Sequence, residues 1–499
     1  MDLLQNISLG FSAALVPGRL MACFFGVLIG TLVGVLPGLG PAAAIALLLP
    51  STFHLDPTSG IIMLAGIYYG AMYGGSTTSI LVNIPGEAAS VVTCLDGYQM
   101  ARKGRAGAAL GISAFGSFIA GTISVIGLML VAPPLAQFAL SFGPPEYFAL
   151  IFCGLSILIY LASGSILKAV IMALAGLFLG LIGTDLITGN VRFTFGNITL
   201  MDGIGMVPVV MGLFGIAEVL DNLEKTIGER AIFQTSFSSL LPNKEDWKRS
   251  IGPITRGSVL GFFLGILPGG GAIISSFTSY AVEKRISRHP EEFGKGAIEG
   301  VAGPESANNA ASGGAFIPLL TLGIPANVVM AIVLGALLTH GIQPGPLLMV
   351  QHADLFWGVV TSMYIGNAML LVLNLPLIGL WVRLLRIPYM ILFPLIILFC
   401  LIGAYSVNNN IDEVLIMILF GGIGYLMRKF DYEAAPLIFA LVLSPLFENA
   451  LRQSLLMSRG SFGIFFTRPI SLVFMVIGIL LFVLPMFPLL KRRVMRDEF

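Results

Sequence analysis

The sequence predicts an all-α polytopic membrane protein with about 11–12 transmembrane helices in two inverted-topology repeats, each with a Gly/Pro-broken or re-entrant helix. Three observations lead to this prediction: a very apolar composition, a pair of glycine- and proline-rich motifs that occurs in each half, and an exchange of basic residues between equivalent loops. The first membrane repeat is predicted at residues 1–220 and a polar central loop at 221–256. The second repeat, with a C-terminal helix and a basic tail, is predicted at 257–499.

The composition fits a lipid bilayer. Of the 499 residues, 56% are hydrophobic and 11% are charged, whereas soluble domains carry about 25% charged residues. A soluble chain of this length could not cover its surface with so few charges. The net charge of +1 gives no electrostatic reason to expect nucleic-acid binding. The N-terminus lacks the basic region and cleavage site of a signal peptide, so we expect the chain to be inserted by its own helices.

Apolar runs of spanning length recur along the chain. No Lys or Arg occurs between Arg19 and Arg102 or between Lys295 and Arg383, and each gap has room for more than one crossing of about 20 residues. The clearest runs are 110–131, 147–161, 166–182, 203–220, 356–382, 389–405, 411–427, 435–447 and 470–490. The basic residues of the central loop place that loop in the cytoplasm. The C-terminal tail is also basic, and we expect it on the same side.

Two motifs appear once on each side of the central loop. Residues 34–40 read GVLPGLG and residues 265–271 read GILPGGG, an offset of 231 positions (268 − 37). Gly74-Gly75 followed by Ile84-Pro85 reappears as Gly313-Gly314 followed by Ile324-Pro325, at offsets of 239 (313 − 74) and 240 (325 − 85). Two matched motifs in the same order at nearly the same offset indicate an internal duplication.

The distribution of basic residues predicts that the halves have opposite orientations. After the first motif, residues 50–58 have no Lys or Arg, whereas the counterpart 284–295 has four. After the second motif the pattern reverses, with three basic residues at 102–105 and none at 340–354. Because basic loops stay in the cytoplasm, this exchange is typical of an inverted repeat. The exceptions, which this topology leaves on the outer side, are Arg452, Arg459 and Arg468.

The glycine-rich motifs are predicted to be the tips of re-entrant hairpins. Arg256 and Glu283 are separated by 26 residues, and we expect both ends of this segment on the cytoplasmic side. Two full crossings of the membrane would need about 40 residues. A hairpin with its tip at the glycines satisfies both facts. By symmetry, residues 20–49, broken at 37–41, would enter from the other side. The alternative geometry is a single crossing that is broken in the middle.

Broken helices at membrane depth are expected to form the binding site. A break exposes backbone groups that lipid cannot satisfy, so it survives only in a cavity or inside protein. Glycine allows close approach of a ligand, and a helix N-terminus attracts a carboxylate. The alternative is that these glycines only pack helices. The substrate-binding candidates in the two breaks are Pro37, Gly38, Gly40, Pro268, Gly269, Gly270 and Gly271.

Polar side chains beside the second motif complete the predicted site. Hydroxyls and amides in an otherwise apolar context can bond a carboxylate or coordinate a cation, although hydroxyls also bond their own helix carbonyls. The further substrate-binding candidates are Ser76, Thr77, Thr78, Asn83, Asn308, Asn309 and Ser312. The candidates for coupling an ion are Ser79, Glu305 and Thr321. For Glu305, the alternative is an ordinary residue at a helix start.

No catalytic pattern accompanies these motifs. The sequence has no Ser-His-Asp, Walker or HExxH pattern, and its four histidines lie in predicted loops without metal-ligand spacing. We therefore expect neither an enzyme nor an ATPase, and no cofactor apart from a coupling ion.

Taken together, the paired motifs, the stretch GGSTTSILVNIPG at 74–86 and the stretch GPESANNAASGG at 303–314 resemble one family. It is the large membrane subunit of tripartite tricarboxylate transporters, the TctA-like proteins. The resemblance covers essentially the whole chain. It implies a bacterial inner-membrane uptake system with a periplasmic TctC-like binding protein and a small TctB-like membrane subunit. It also implies secondary transport of citrate or another carboxylate, driven by a gradient of Na+ or H+.

Two rival classes stay open at the level of sequence. A channel or an exporter would share the apolar composition and the re-entrant segments but would not need a binding protein. An intramembrane enzyme would need a nucleophile or a metal set, and the sequence shows neither.

Overall fold

The computed structural model describes residues 3–36, 40–162, 165–185, 187–224, 239–269, 271–385 and 389–483. These residues are almost entirely helical, and their one sheet is a short antiparallel pair, β1 (Gly183–Thr184) and β2 (Val191–Arg192). The polar stretch 221–256 is helical where it is described at its two ends, 221–224 and 244–256.

The first half contains ten α-helices among the described residues. They are α1 (Leu3–Ala14), α2 (Pro17–Val35), α3 (Pro41–Thr52), α4 (Pro57–Val82), α5 (Val91–Arg102), α6 (Ala106–Ala139), α7 (Pro144–Tyr160), α8 (Ile166–Leu179), α9 (Met206–Val210) and α10 (Ala217–Glu224). A π-helical segment, Met211–Ile216, joins α9 to α10.

The second half contains thirteen α-helices among the described residues. They are α11 (Lys244–Ile266), α12 (Gly271–Ile286), α13 (Glu299–Gly314), α14 (Phe316–Leu322), α15 (Val328–Thr339), α16 (Leu348–Gln351), α17 (Ala353–Asn374), α18 (Ile378–Leu384), α19 (Tyr389–Asn408), α20 (Ile411–Lys429), α21 (Ala434–Met457), α22 (Ile464–Thr467) and α23 (Pro469–Val483).

Five helical segments of the described chain are long and apolar enough to cross a membrane: 17–35, 106–139, 206–224, 353–374 and 434–457. Shorter apolar helices of 10–17 residues accompany them. Together they support the predicted all-α membrane fold. The predicted number of about 11–12 crossings stays a prediction.

Both glycine-rich motifs lie where the chain reverses its direction. In hairpin 1, made of α2 and α3, Arg19 near the start of α2 lies 3.4 Å from Asp56, which follows α3. In hairpin 2, made of α11 and α12, Arg256 pairs with Glu283 at 2.5 Å, and Gly271 packs against Gly265. Each pair of helices therefore folds back on itself. Its re-entry into a bilayer stays a prediction.

The same helix packing occurs twice. Hairpin 1 packs α2 on α4 and hairpin 2 packs α11 on α13, with glycines that leave no room for a Cβ atom. In the first half Gly26, Gly30 and Gly34 face the backbone of Met63, Ile67 and Ala71. In the second half Gly257, Gly261 and Gly265 face Gly303, Ala307 and Ala311. The equivalent contacts are separated by 231 (257 − 26) and 240 (303 − 63) positions, which are the offsets of the sequence motifs.

The two hairpins open at opposite ends of α6, a helix of 34 residues that is about 51 Å long. Before α6, Arg105 pairs with Asp246 near the start of α11, at the open end of hairpin 2. After α6, residues 142–144 share a cavity with residues 343–347. That loop leads to Asp354, which lies 3.8 Å from Arg19 at the open end of hairpin 1. We call the end with Arg19 face A and the end with Asp246 face B.

The basic residues that the charge pattern leaves on the outer side are largely neutralised on face A. Arg452 pairs with Asp185 at 2.9 Å, and Arg468 pairs with Glu146 at 2.5 Å. These partners are about 270 and 320 positions away in sequence, so the pairing is visible only in the fold. Of these three residues, Arg459 is exposed and has no ion pair within the described chain.

We expect Gly30→Ala and Gly261→Ala to destabilise the fold. A Cβ at Gly30 would lie 2.8 Å from the Cα of Ile67, and one at Gly261 would lie 2.7 Å from the Cα of Ala307. Such overpacking costs about 1–3 kcal/mol. Melting of the detergent-solubilised protein measures the effect. The matched control is Gly422→Ala, in α20, where a Cβ meets nothing within 4 Å. If all three variants melt alike, the glycines do not set the helix spacing.

Candidate functional site

Each half has a second break, a short loop that follows the helix packed on its hairpin. Loop 1 (residues 83–87) follows α4 and begins at Asn83, whose φ of 61° is left-handed. Loop 2 (residues 323–327) follows α14 and begins at Gly323, with a φ of 70°. The last residue of each loop caps the next helix, since Glu87 accepts from the Ala89 N–H at 2.7 Å and Asn327 accepts from the Met330 N–H at 3.0 Å.

The described residues at or next to each hairpin tip contact the break region of their own half. In the second half the N–H of Gly269, at the tip of hairpin 2, donates to the carbonyl of Ala326 in loop 2 at 2.9 Å. In the first half Gly86 of loop 1 packs against the backbone of Gly34. The Thr78 hydroxyl also donates to the carbonyl of Val35 at 2.5 Å. In both halves, therefore, two interruptions of regular helix lie side by side.

The structure describes four of the seven predicted break residues. Gly40 precedes α3 as its N-cap, and Gly271 begins α12. Pro268 and Gly269 form the turn between α11 and α12, and Gly269 has a φ of +107° that favours glycine. The N-termini of α3 and α12 thus begin at the tips, where the helix dipole attracts negative charge. The other predicted break residues, Pro37, Gly38 and Gly270, lie outside the described residues.

The predicted hydroxyl residues are buried, and most of the hydroxyls bond within the protein. Ser79 donates to Ser90 at 2.9 Å or to the Gly75 carbonyl at 3.0 Å. Ser312 and Thr321 donate to carbonyls of their own helical segments, those of Asn309 and Ile317, at 2.7 Å each. That is the arrangement expected when such hydroxyls bind no ligand. Thr77 is buried as well.

A buried polar cluster joins the two halves beside loop 1. Glu305 of α13 is fully buried and accepts hydrogen bonds from the hydroxyls of Ser76 in α4 and Thr93 in α5. The amide nitrogen of Asn309 donates to the Ser117 hydroxyl at 2.7 Å, to the Glu305 carbonyl at 3.0 Å and to the Asn308 side-chain oxygen at 2.6 Å. Glu305 and Asn309 therefore have structural partners, and their contact with a ligand stays a prediction.

Asn83 differs from the other polar candidates because its side chain is exposed. No hydrogen bond of this side chain occurs within the described chain. An exposed amide at a helix break is available to a ligand, whereas a buried and fully bonded amide is not. Of the predicted amides, Asn83 is exposed, and the buried Asn308 has an Nδ2 without a partner among the described residues, so these two side chains have donors available to a ligand.

Sequence reasoning missed Glu87, Thr93 and Asn327. Glu87 is buried beside the cluster and Asn327 donates to the Tyr68 hydroxyl at 3.0 Å, a contact between the halves. The internal duplication could have identified two of these residues. Glu87 and Asn327 occupy equivalent positions, 240 apart (327 − 87), directly after IPG and IPA. Thr93 had no such signal, since its partner is 212 positions away.

Face A has two adjoining cavities. The first has a volume of about 480 Å³ and reaches Gly323 and Ile324 of loop 2. None of the side chains that line it is charged, and its amides come from Gln343, Gln351, Asn449 and Gln453. The second, of about 420 Å³, shares Asn449 and is lined by the ion pair of Arg192 and Glu448. The first cavity therefore extends from face A to the start of loop 2, whose residues 323–326 are otherwise buried.

Asp185 anchors the wall of the second cavity. It accepts from the Thr188 hydroxyl at 2.6 Å, the Ile187 N–H at 2.9 Å and Arg452 at 2.9 Å. These interactions hold the pKa of Asp185 well below its usual range. The carboxylate is therefore charged at neutral pH and keeps the β1–β2 loop on α21. No group of three or more His, Cys, Asp or Glu side chains suited to a metal ion occurs among the described residues.

Comparison with known proteins gives one family. Residues 20–439 match the model of the tripartite tricarboxylate transporter TctA family. An Agrobacterium vitis protein described as "Uncharacterized 52.8 kDa protein in TAR-I ttuC' 3'region" is 53% identical over 498 residues, which cover 100% of this chain and 99% of that protein. Another from the same organism, "Uncharacterized protein in TAR-II ttuC' 3'region", is 51% identical over 238 residues, 48% of this chain and 98% of its own length. No solved structure shows a significant match.

We expect Asn309→Ala to destabilise the protein and Asn83→Gly to leave its stability unchanged. Removal of the Asn309 amide leaves buried acceptors unpaired, at a cost of about 1–3 kcal/mol. Glycine at position 83 keeps the left-handed backbone that Gly323 adopts in loop 2. Melting temperatures in detergent compare the two. Equal losses, or a larger loss for Asn83→Gly, would contradict the assignment of Asn309 to a structural role.

Proposed function

Because the chain belongs to the tripartite tricarboxylate transporter TctA family, we propose that it is the large membrane subunit of a secondary transporter for a small organic anion. The substrate is a di- or tricarboxylate such as citrate, or a related carboxylate. Transport uses a gradient of Na+ or H+, and neither an enzymatic step nor a cofactor apart from the coupling ion takes part.

The observation that carries this proposal is the contact of each hairpin tip with its break loop, beside a cavity that opens at face A. The hydrogen bond from the Gly269 N–H to the Ala326 carbonyl shows that the backbone of the hairpin 2 tip directly contacts the backbone of loop 2. Backbone N–H groups and helix N-termini bind carboxylates without a Lys or Arg side chain. A cavity of about 480 Å³ falls in the size range of small-molecule sites, about 300–1,000 Å³.

In the proposed site, substrate carboxylates meet the tips at residues 37–40 and 268–271 and the two break loops. Asn83 adds a side-chain donor. The neutral lining of the face A cavity suits this role, because amides donate to an anion without holding it as tightly as an arginine would. A transporter has to release what it binds, so moderate affinity is an advantage.

The proposed membrane arrangement follows from the two faces. Face B carries Arg105 and Asp246, at the described end of the polar central segment, so we assign face B to the cytoplasm and face A to the periplasm. The halves are then an inverted-topology repeat, supported by hairpins that open at opposite ends of α6. A TctC-like binding protein delivers substrate at face A in the inner membrane, and a small TctB-like subunit completes the complex.

We expect His54→Cys to be labelled only from the periplasm and Glu291→Cys only from the cytoplasm. Both residues are exposed, His54 beyond α3 at face A and Glu291 beyond α12 at face B. The background replaces Cys23, Cys94, Cys153 and Cys400, and an impermeant thiol reagent is added to oriented vesicles. Labelling of both positions from one side would exclude an inverted repeat.

We expect citrate to accumulate in proteoliposomes that contain both membrane subunits, with binding protein outside, only under an inward Na+ or H+ gradient. Accumulation above the outside concentration separates a transporter from a channel, which can only equilibrate its solute. The measurement is uptake of radiolabelled citrate, with malate and tartrate as alternative substrates. Uptake that is indifferent to both gradients would rule out gradient-driven transport.

In the same assay Asn83→Gly tests the site. Loss of a hydrogen bond to a charged group costs about 1.5–3 kcal/mol, or about ten- to hundred-fold in apparent affinity. The control is Asn222→Ala in α10, whose amide bonds Glu218 away from both loops. If Asn83→Gly transports with normal affinity, loop 1 does not contact the substrate.

A further inference from the structure

Two buried carboxylates, Glu87 of loop 1 and Glu305 of α13, lie against consecutive residues of α4 at the junction of the halves, since Glu87 packs on Gly75 and Glu305 accepts a hydrogen bond from Ser76. We propose that they share a single monovalent cation, Na+ or H+, and that this cation is the coupling ion. The role of this cation in coupling rests on the proposed function. The existence of the cation site itself is independent of any substrate.

Glu305 requires a positive charge that the protein does not supply. Its side chain has 0% exposure, and its two oxygens accept from Ser76 and Thr93. No cationic side chain pairs with it within the described chain. An ionised carboxylate in such surroundings is strongly unfavourable unless a proton or a metal cation neutralises it. The hydroxyls reduce this cost but bring no charge.

Glu87 adds an oxygen that has no partner. Its side chain is only 7% exposed, and Oε2 accepts from the Ala89 N–H. Oε1 is buried and has no hydrogen-bond partner among the described residues. Buried carboxylate oxygens are almost always bonded, so this unpaired oxygen is available to a ligand, and its position beside the Glu305 region is what distinguishes it. Two ionised carboxylates in one buried region would also repel each other, and one cation between them removes both problems.

The neighbouring groups supply oxygen and no positive charge. Ser90 and Ser79 lie beside Glu87, linked by a hydrogen bond of 2.9 Å. The titratable neighbours are Tyr68, which is close enough to Glu87 to sense its charge, and Cys94, which senses that of Glu305. Neither becomes cationic. Carboxylates and hydroxyls are the ligands that hard cations such as Na+ prefer, and they can equally hold a proton.

The position of the pair explains how a cation would drive movement. Glu87 belongs to loop 1 and caps the helical turn that leads to α5, while Glu305 belongs to α13 of the other half. With the cation bound, the two halves are held together at this point. Without it, repulsion favours their separation. Glu87 and Asn83 lie in the same loop. Binding of the cation and binding of the substrate would therefore both shift the conformational equilibrium of loop 1, which is the requirement for coupling.

Glu305→Gln and Glu87→Gln test this site without knowledge of the substrate. The complex with the small membrane subunit is solubilised, and its melting temperature is measured in NaCl and in choline chloride at equal ionic strength, at pH 6 and pH 8. In the wild type we expect NaCl, or the lower pH, to raise the melting temperature by about 2–4 °C. Both Gln variants should lose this response. They should still fold, because the substitution removes a buried charge.

The matched control is Glu413→Gln. Glu413 is also buried and its Oε2 has no partner among the described residues, but it lies at the N-terminus of α20, bonded to Asn408. This variant should keep the wild-type response to the cation. A response to Na+ at both pH values identifies sodium as the ligand, and a response to pH alone identifies the proton. A wild type that responds to neither, or Gln variants that respond like the wild type, would overturn the proposal.

Uptake of labelled citrate into proteoliposomes then separates the two proposals. Glu305→Gln and Glu87→Gln should lose accumulation under a gradient by at least tenfold. If the wild type moves no carboxylate but shows the cation response, the proposed function fails and the cation site stands. If the variants accumulate citrate like the wild type, the site is not the coupling site.

Discussion

The structure depends on one constraint, which is that backbone N–H and C=O groups freed by a helix break need partners when lipid surrounds the protein. In the described part of the chain, such breaks occur at the tip of hairpin 2 and in the two loops. The end of α2 lies against loop 1, and in the second half the bond from Gly269 to Ala326 satisfies one donor and one acceptor at once. Backbone groups that remain free at these points are available to a ligand. The same geometry thus stabilises the fold and leaves the breaks in the position that the proposed binding site requires.

Close helix packing makes this arrangement possible. Glycines on α2 and α11 let each helix approach α4 and α13 until their backbones touch, which places the tips beside the loops. The contacts recur at the spacing of the sequence motifs, so the duplication is visible in the packing as well as in the sequence. The polar cluster around Glu305 then connects one half to the other, because Ser76 and Thr93 come from the first half and Glu305 from the second.

Features encoded by local sequence could be predicted, and features that depend on distant partners could not. A proline followed by several glycines favours a helix break, so the motifs around Pro37 and Pro268 predicted breaks. The charge pattern likewise predicted that the hairpins would open in opposite directions, a reading supported by Asp246 and Arg19 lying at opposite ends of α6. By contrast, the pairing of Arg452 with Asp185 spans 267 positions. The internal bonding of Asn309, which sequence reasoning assigned to substrate, also requires the fold.

The central claim is that the hairpin tips and break loops bind a carboxylate. The most direct measurement is an experimental density map of the complex with a saturating carboxylate that it accumulates. The account predicts density for the ligand within hydrogen-bond distance of loop 1 or loop 2 and beside at least one hairpin tip, with no Lys or Arg side chain in contact. Ligand density held by basic side chains elsewhere, with tips and loops unchanged and empty, would contradict the account.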